Sequence, residues 1–365
     1  MYIAKGLLFF FKETFTINKI CIFASSVLVD HDFSGVSIVK KIFNFKKEFL
    51  FMERYKGKLV FTYSLVILAM LFWGFSFIWT KMLLEHLKPF SIITLRLIIS
   101  SVFLLITGLA IKKLQKIKKE DFGLFVLLAF IEPFLYFIGE TNGLKHCSAT
   151  ISAVLIALIP LLSPIAAWYF FREKLGMLNF AGILISFFGV SLVIIKKDYT
   201  LNASLTGILL MGLAVISAIG YSVVVIKAVK KYNIFSIITV QNLLGAIFFM
   251  PLLLVFEYDH LKTVEINSGI LYPLIALAIL ASSLAFMFFT YGVKMLGLIK
   301  ANTISNTIPV FTAIFAYILI DEKLTIINIL GIIIVITGLL LSQLKKGLRI
   351  RHRIFWFKKI SDIKE

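Results

Sequence analysis

From residue 61 onward the chain alternates between apolar blocks of about twenty residues and short links that hold most of the charge. Twenty helical residues rise ~30 Å, the thickness of a bilayer's hydrocarbon core. The blocks are apolar on every side, so none has a stripe that would face water. The pattern predicts ten spans, numbered helices 1 to 10: 61–81, 90–111, 122–141, 150–171, 178–195, 205–226, 235–256, 270–292, 301–320 and 326–344. No link is long enough for a soluble domain. The expected fold class is an all-α integral membrane protein.

The blocks are also duplicated. Residues 143–197 lie on 292–346 without a gap, at an offset of 149, with 17 of 55 positions identical. Identical pairs include Pro160/Pro309, Glu173/Glu322, Lys174/Lys323, Leu175/Leu324, Asn179/Asn328, Gly182/Gly331 and Gly189/Gly338. A second echo sets 90–96 against 235–241. The chain therefore divides into a first repeat, 61–197, and a second, 205–346, followed by a basic tail, 347–365. Five helices per repeat is an odd number, so the copies cross the membrane in opposite senses. Inverted repeats of this kind are a signature of secondary transporters.

Composition agrees with a membrane solvent. Hydrophobic residues make up 60% and charged residues only 16%, where a soluble domain carries about 25% charged. The net charge of +19 would suggest nucleic acid in a soluble protein. Here the cations sit between spans, so no nucleic-acid partner is expected and the lipid bilayer is. Lysine and arginine favour alternate links: before helix 1, then 2–3, 4–5, 6–7, 8–9 and the tail. That bias puts both termini in the cytoplasm of a multi-pass plasma-membrane protein. Cys21 and Cys147 are the two cysteines. They make neither a disulfide framework nor a zinc spacing, and no metal or cofactor is expected.

Residues 1–51 belong to neither repeat. Their longest apolar run, 20–29, is half a span, and Asp30-His31-Asp32 is a poor signal-peptidase site. Two readings stand: a disordered cytoplasmic extension, or a stretch outside the translated protein, with Met52 as the start. Lys47-Glu48 would then be read from a purine-rich ribosome-binding sequence. Intact mass of protein made from the native gene separates the two.

Trp73-Gly74-Phe75-Ser76-Phe77 in helix 1 resembles the W-G-x-x-F opening of EamA-type transporters of the drug/metabolite transporter superfamily. Arg96 looks like that family's helix 2 arginine. The tract Gly143-Leu144-Lys145, Ser148-Ala149-Thr150, Ile159-Pro160, Arg172-Glu173-Lys174-Leu175, Gly182 and Gly189 resembles its most recurrent stretch. The resemblance covers residues 63–343. It implies a ten-helix carrier with a cavity between two repeats, moving small metabolites by alternating access. Many such carriers export amino acids or toxic compounds against the proton gradient. The second half departs from the opening motif, with Ile219-Gly220-Tyr221-Ser222 in place of Trp73-Gly74-Phe75-Ser76.

Ionisable groups within a span are costly unless paired or hydrated, which makes each a functional candidate. Glu132, Tyr136 and Glu140 recur every four residues on one face of helix 3. Glu132 lies about 12 Å deeper than Glu140. Their counterparts in helix 8 are Ala281, Ala285 and Phe289, so the acids belong to the first repeat alone. A carboxylate at that depth can take up a proton or hold a cationic amine, or simply make a structural hydrogen bond. Pro133 bends the helix beside it. Arg96 enters helix 2 by about 9–10 Å. It can pair with Glu140, hold a substrate carboxylate, or snorkel to the headgroups. Asn302 and Asn306 share a face of helix 9, as interhelical glue or ligand contacts. Trp73, with Trp79, Tyr221 and Tyr291, can line a cavity or simply pack. Pro160 and Pro309 bend helices 4 and 9 at equivalent points. Gly182, Gly189, Gly331 and Gly338 are read as close-packing positions.

These features predict a proton-coupled exporter of small metabolites, its partners a small-molecule substrate and a proton or other coupling ion. A monomer suffices for that task and a dimer is compatible with it. An importer or an exporter of cationic drugs is the same-class alternative. An enzyme is not expected, since no catalytic or metal motif adjoins a span. A receptor or scaffold has no need of an acid in mid-membrane.

Overall fold

The computed structural model describes residues 35–171, 177–194 and 203–343. The chain divides into Met1–Phe61 and Thr62–Glu365, and the packing below is that of the second unit. Ten helical spans occur among the described residues. They are α1 (Gly35–Leu84, apolar over Gly57–Leu84), α2 (Pro89–Ala110), α3 (Lys119–His146), α4 (Ala149–Ile156, then Leu158–Phe171), α5 (Met177–Ile194), α6 (Leu205–Lys231), α7 (Ile234–Phe256), α8 (Ser268–Leu296), α9 (Leu298–Ser305, then Ile308–Leu319) and α10 (Ile326–Gln343). α1 begins inside the stretch expected to be an extension. Residues 1–34, the tail and the Arg172–Lys174 link lie outside the described residues.

Among the described residues seven spans are long and apolar enough to cross a membrane, and α4, α9 and α10 contribute shorter apolar helices. α4 and α9 are both interrupted. α4 breaks at Ala157, and α9 at Asn306-Thr307, which are equivalent positions in the two repeats. The expected bends are breaks. Pro160 and Pro309 sit in the first turn of each second half, where a missing N–H costs no helical hydrogen bond.

The inverted duplication is visible in the packing. Three contacts pair equivalent helices: α2 with α7, α4 with α9 and α5 with α10. The others exchange partners. α3 packs on α6 and α7, as α8 packs on α1 and α2. α4 packs on α6 as α9 packs on α1. At the α5–α10 seam, Gly189 faces Val335 while Gly338 faces Ser186, and Gly182 faces Ser342 while Gly331 faces Val193. Each pair is the image of the other. A Cβ on Gly189 would fall 2.7 Å from the Val335 nitrogen, so only glycine allows this approach. Ser186 donates to the Val335 carbonyl at 3.0 Å, and 186 and 335 are equivalent positions.

Helix ends are closed by side chains from neighbouring elements. Glu257 accepts from the Phe90 and Ser91 N–H groups of α2 at 3.2 and 2.7 Å. On the opposite face Gln115 and the Lys113 carbonyl bind Asn233 at the start of α7. There Asp121 takes hydrogen bonds from Lys231 at 2.6 Å and Tyr232 at 2.7 Å. These contacts hold the basic 2–3 and 6–7 links together on one face.

Candidate functional site

α3 and α8 both depart from α-helical geometry at mid-span. Phe130–Leu135 and Leu277–Ala285 form π-type turns at equivalent positions. Within the first, Glu132 is extended (φ −146°, ψ 115°). Irregular backbone at membrane depth persists only where protein buries it or a cavity borders it. Here Pro133 inserts its ring against Gly245 of α7, and Glu132 turns into a central cavity. Pro133 is thus both an irregularity and a packing residue.

The cavity has a solvent-accessible volume of about 80 Å³. Arg96, Glu132, Tyr136 and Glu140 form its charged wall. Trp73, Phe77, Tyr221, Phe286 and Phe289 form an aromatic one. The breaks supply Ala157, Pro160, Ser305 and Ile308 to its lining, with Asn302 a turn away. Asn306 does not line it. Trp79 packs instead on Phe75 at 5.2 Å, and Tyr291 is also outside the lining. Trp73 is held by Phe286 and Phe289, with ring centroids 5.2 and 5.1 Å away. The next residue, Gly74, lets α9 approach, and its carbonyl accepts from Thr312 Oγ1 at 3.3 Å. Gly220, at the matching point of the second repeat, has no such close approach: a Cβ there would meet Ile131 Cγ2 at an ordinary contact distance of 3.7 Å. The opening motif therefore does a different job in each copy.

Arg96 is 2% exposed and does not snorkel. Its Nε donates to Ser282 Oγ at 2.8 Å, and its guanidinium lies 4.1 Å over the Phe137 ring. Its Nη1 has no acceptor among the described residues. Glu140 feels Arg96 through space and accepts from Thr141 Oγ1 at 2.9 Å. The pairing with Glu140, one of the three roles open to Arg96, is not a contact pair among the described residues, where Phe137 and Ser282 hold the guanidinium. Glu132 has no hydrogen-bond donor among the described residues.

Ser282 occupies the position of Pro133 in the second repeat, and it anchors a polar network that sequence reading missed. Asn242 Nδ2 donates to the Ser282 carbonyl at 2.9 Å and to Ser100 Oγ at 2.7 Å. Ser100 and Ser283 share a hydrogen bond of 2.6 Å. Gln241, the counterpart of Arg96, accepts from Tyr221 at 3.1 Å. The signal was present as polar residues inside apolar blocks. Phe286 and Phe289 carried none, being two among 37 phenylalanines. Among the described residues no group of histidine, cysteine and acidic side chains could hold a metal ion.

The comparisons with known proteins point one way. The EamA-like transporter family matches residues 60–195 and again 205–344. An uncharacterized transporter of Archaeoglobus fulgidus is 28% identical over 287 residues, covering 78% of this chain and 98% of its own. The uncharacterized transporter YetK of Bacillus subtilis is 27% identical, covering 76% of this chain and 85% of its own. A protein of known crystal structure shares the fold at a TM-score of 0.58 and 16% identity, over 78% of this chain and 98% of that one. With ten helices, two inverted repeats and a family match spanning both, the chain belongs to the EamA-like transporter family.

Proposed function

We propose that this transporter exports small metabolites, amino acids or related compounds, in exchange for protons by alternating access. The observation that carries the proposal is the charge inventory of the cavity: two carboxylates, Glu132 and Glu140, against one guanidinium, Arg96. Arg96 and Glu140 act on each other through space. That leaves Glu132 without a counter-charge among the described residues. A buried carboxylate in this position must be neutralised, either by a proton or by a substrate ammonium group. The two occupants exclude each other, which is the requirement for exchange. The Arg96 guanidinium in the cavity wall suits a substrate carboxylate, and the aromatic wall suits an apolar remainder. On this reading a monomer suffices, and a dimer is compatible with it. The basic links favour a plasma-membrane protein with both termini in the cytoplasm.

A second reading, export of cationic amines or drugs, is favoured by the excess carboxylate and the aromatic wall. Purified protein in liposomes with an imposed pH gradient separates the two, scanned against amino acids and against amines that lack a carboxylate. Proton-driven flux of amino acids supports the first reading, and flux of the simple amines alone supports the second. Uptake against the expected direction would make it an importer. No flux and no stabilisation by any small solute would leave a receptor or scaffold. Normal coupling in Glu132→Gln would remove Glu132 from the mechanism.

A further inference from the structure

The first half of α4, Ala149–Ile156, ends at the break beside the cavity, where Ala157 lines the wall. The second half of α9, Ile308–Leu319, begins there, with Ile308 in the same wall. The two half-helices pack on each other and reach the same membrane face. One side chain ties them together at that face. Glu322, just beyond α9, accepts from the Ala149 and Thr150 N–H groups at 3.1 and 3.3 Å. A carboxylate on a helix N-terminus gains from both charge-assisted hydrogen bonds and the helix dipole. The turn aims it there. Asp321 is left-handed, with φ 50°, and the Glu322 N–H donates to the Ala316 carbonyl at 3.1 Å. Lys81, near the end of α1, lies within Coulombic reach of the same carboxylate.

We infer that Glu322 is a latch, whose grip on the α4 N-terminus closes one end of the cavity and releases when the cavity opens to that face. The contact joins the two repeats, and each partner is attached to a half-helix that can pivot at its break. Glu257 makes the same kind of contact on α2, but α2 is unbroken, so loss of that cap gives it no pivot. The inference rests on the alternating-access reading only in needing an opening motion, not on any substrate.

Cys147 reports the motion. It is 4% exposed, lies against Gly207, and stands two residues before the latched α4 terminus. The experiment uses the full chain with Cys21→Ser, purified in detergent, and follows maleimide alkylation of Cys147 by mass spectrometry. Loss of a carboxylate cap in Glu322→Ala should speed labelling roughly 5- to 30-fold, with a cooperative melt retained. Glu257→Ala should label at the parent rate. If Glu322→Ala does not fold, Glu322→Gln, which keeps one neutral acceptor, decides the question with an expected acceleration of about threefold. Unchanged labelling in the folded Glu322 variant overturns the latch, and so does an equal acceleration in Glu257→Ala. No substrate enters the measurement, so a silent liposome assay and a failed latch remain distinct results.

Discussion

Arg96 of the first repeat is oriented by Ser282 of the second, through an Nε–Oγ hydrogen bond of 2.8 Å. Ser282 is fixed in turn by Asn242 on its carbonyl, and Phe137 stacks under the guanidinium. Its Nη1 has no acceptor among the described residues. A hydrogen bond to a charged group contributes about 1.5–3 kcal/mol. Ser282→Ala is therefore expected to raise the half-saturating substrate concentration in liposomes by about tenfold, with maximal rate less affected. Ser282→Thr should restore most of it. Arg96→Lys should not substitute for arginine, since an ammonium can neither stack on Phe137 nor keep the fork geometry.

That pair also marks where sequence reading reached its limit. Spans, inversion and seam follow from block length, the offset of 149 and the matched glycines, all local or periodic signals. Depth and helix face were enough to nominate Arg96, Glu132 and Glu140. Partnership was not legible. Equal depth makes an Arg96–Glu140 pair one of three roles open to Arg96, but depth says nothing about rotation, and rotation brings Arg96 to Ser282. Pro160 and Pro309 predict bends, and the helices instead break at Ala157 and Asn306-Thr307. A proline marks irregularity within a turn but does not say whether the helix continues. Asn306 lies on the expected helix, yet the break takes it out of the cavity lining occupied by Asn302.

The α5–α10 seam predicts a sharp contrast among glycine substitutions. Gly189→Ala and Gly338→Ala force a methyl group into opposing backbone. Overpacking of this kind costs about 1–3 kcal/mol. Gly212 and Gly123 have nothing within 4 Å of a built Cβ, and alanine there should be neutral or slightly stabilising, by about 0.4–1 kcal/mol. Thermal melts of the purified variants followed by fluorescence-detected gel filtration check the ordering. Equal melting temperatures for Gly189→Ala and Gly212→Ala would mean the seam yields more easily than its geometry implies.

Glu132 and Glu140 should fail in different ways. Glu140 has a local donor in Thr141 and faces Arg96. Its neutralisation removes a positioning charge and should weaken substrate binding by about tenfold while leaving pH-driven transport in place. Among the described residues Glu132 has neither support. Glu132→Gln should abolish acceleration by a pH gradient yet preserve substrate-for-substrate counterflow, because an amide cannot exchange a proton. The check is counterflow and pH-jump flux measured side by side in the same liposomes. Loss of both activities in both variants would make the two acids one functional unit.

Asn306 sits at the α9 break, 2% exposed, with neither amide atom hydrogen-bonded among the described residues. Its counterpart in the first repeat is Ala157, so an amide is not needed to form the break. An unpaired buried polar group costs about 1–3 kcal/mol, and a protein retains such a group where a moving part needs it. Asn306→Ala removes that cost and leaves a small void, which offsets part of the gain. The expected result is a melting temperature at or above the parent's together with slower transport, the trade-off typical of a strained functional element. Melting and initial flux measured on one preparation test it. A lower melting temperature with normal flux would make Asn306 a packing residue whose partners form only within the membrane.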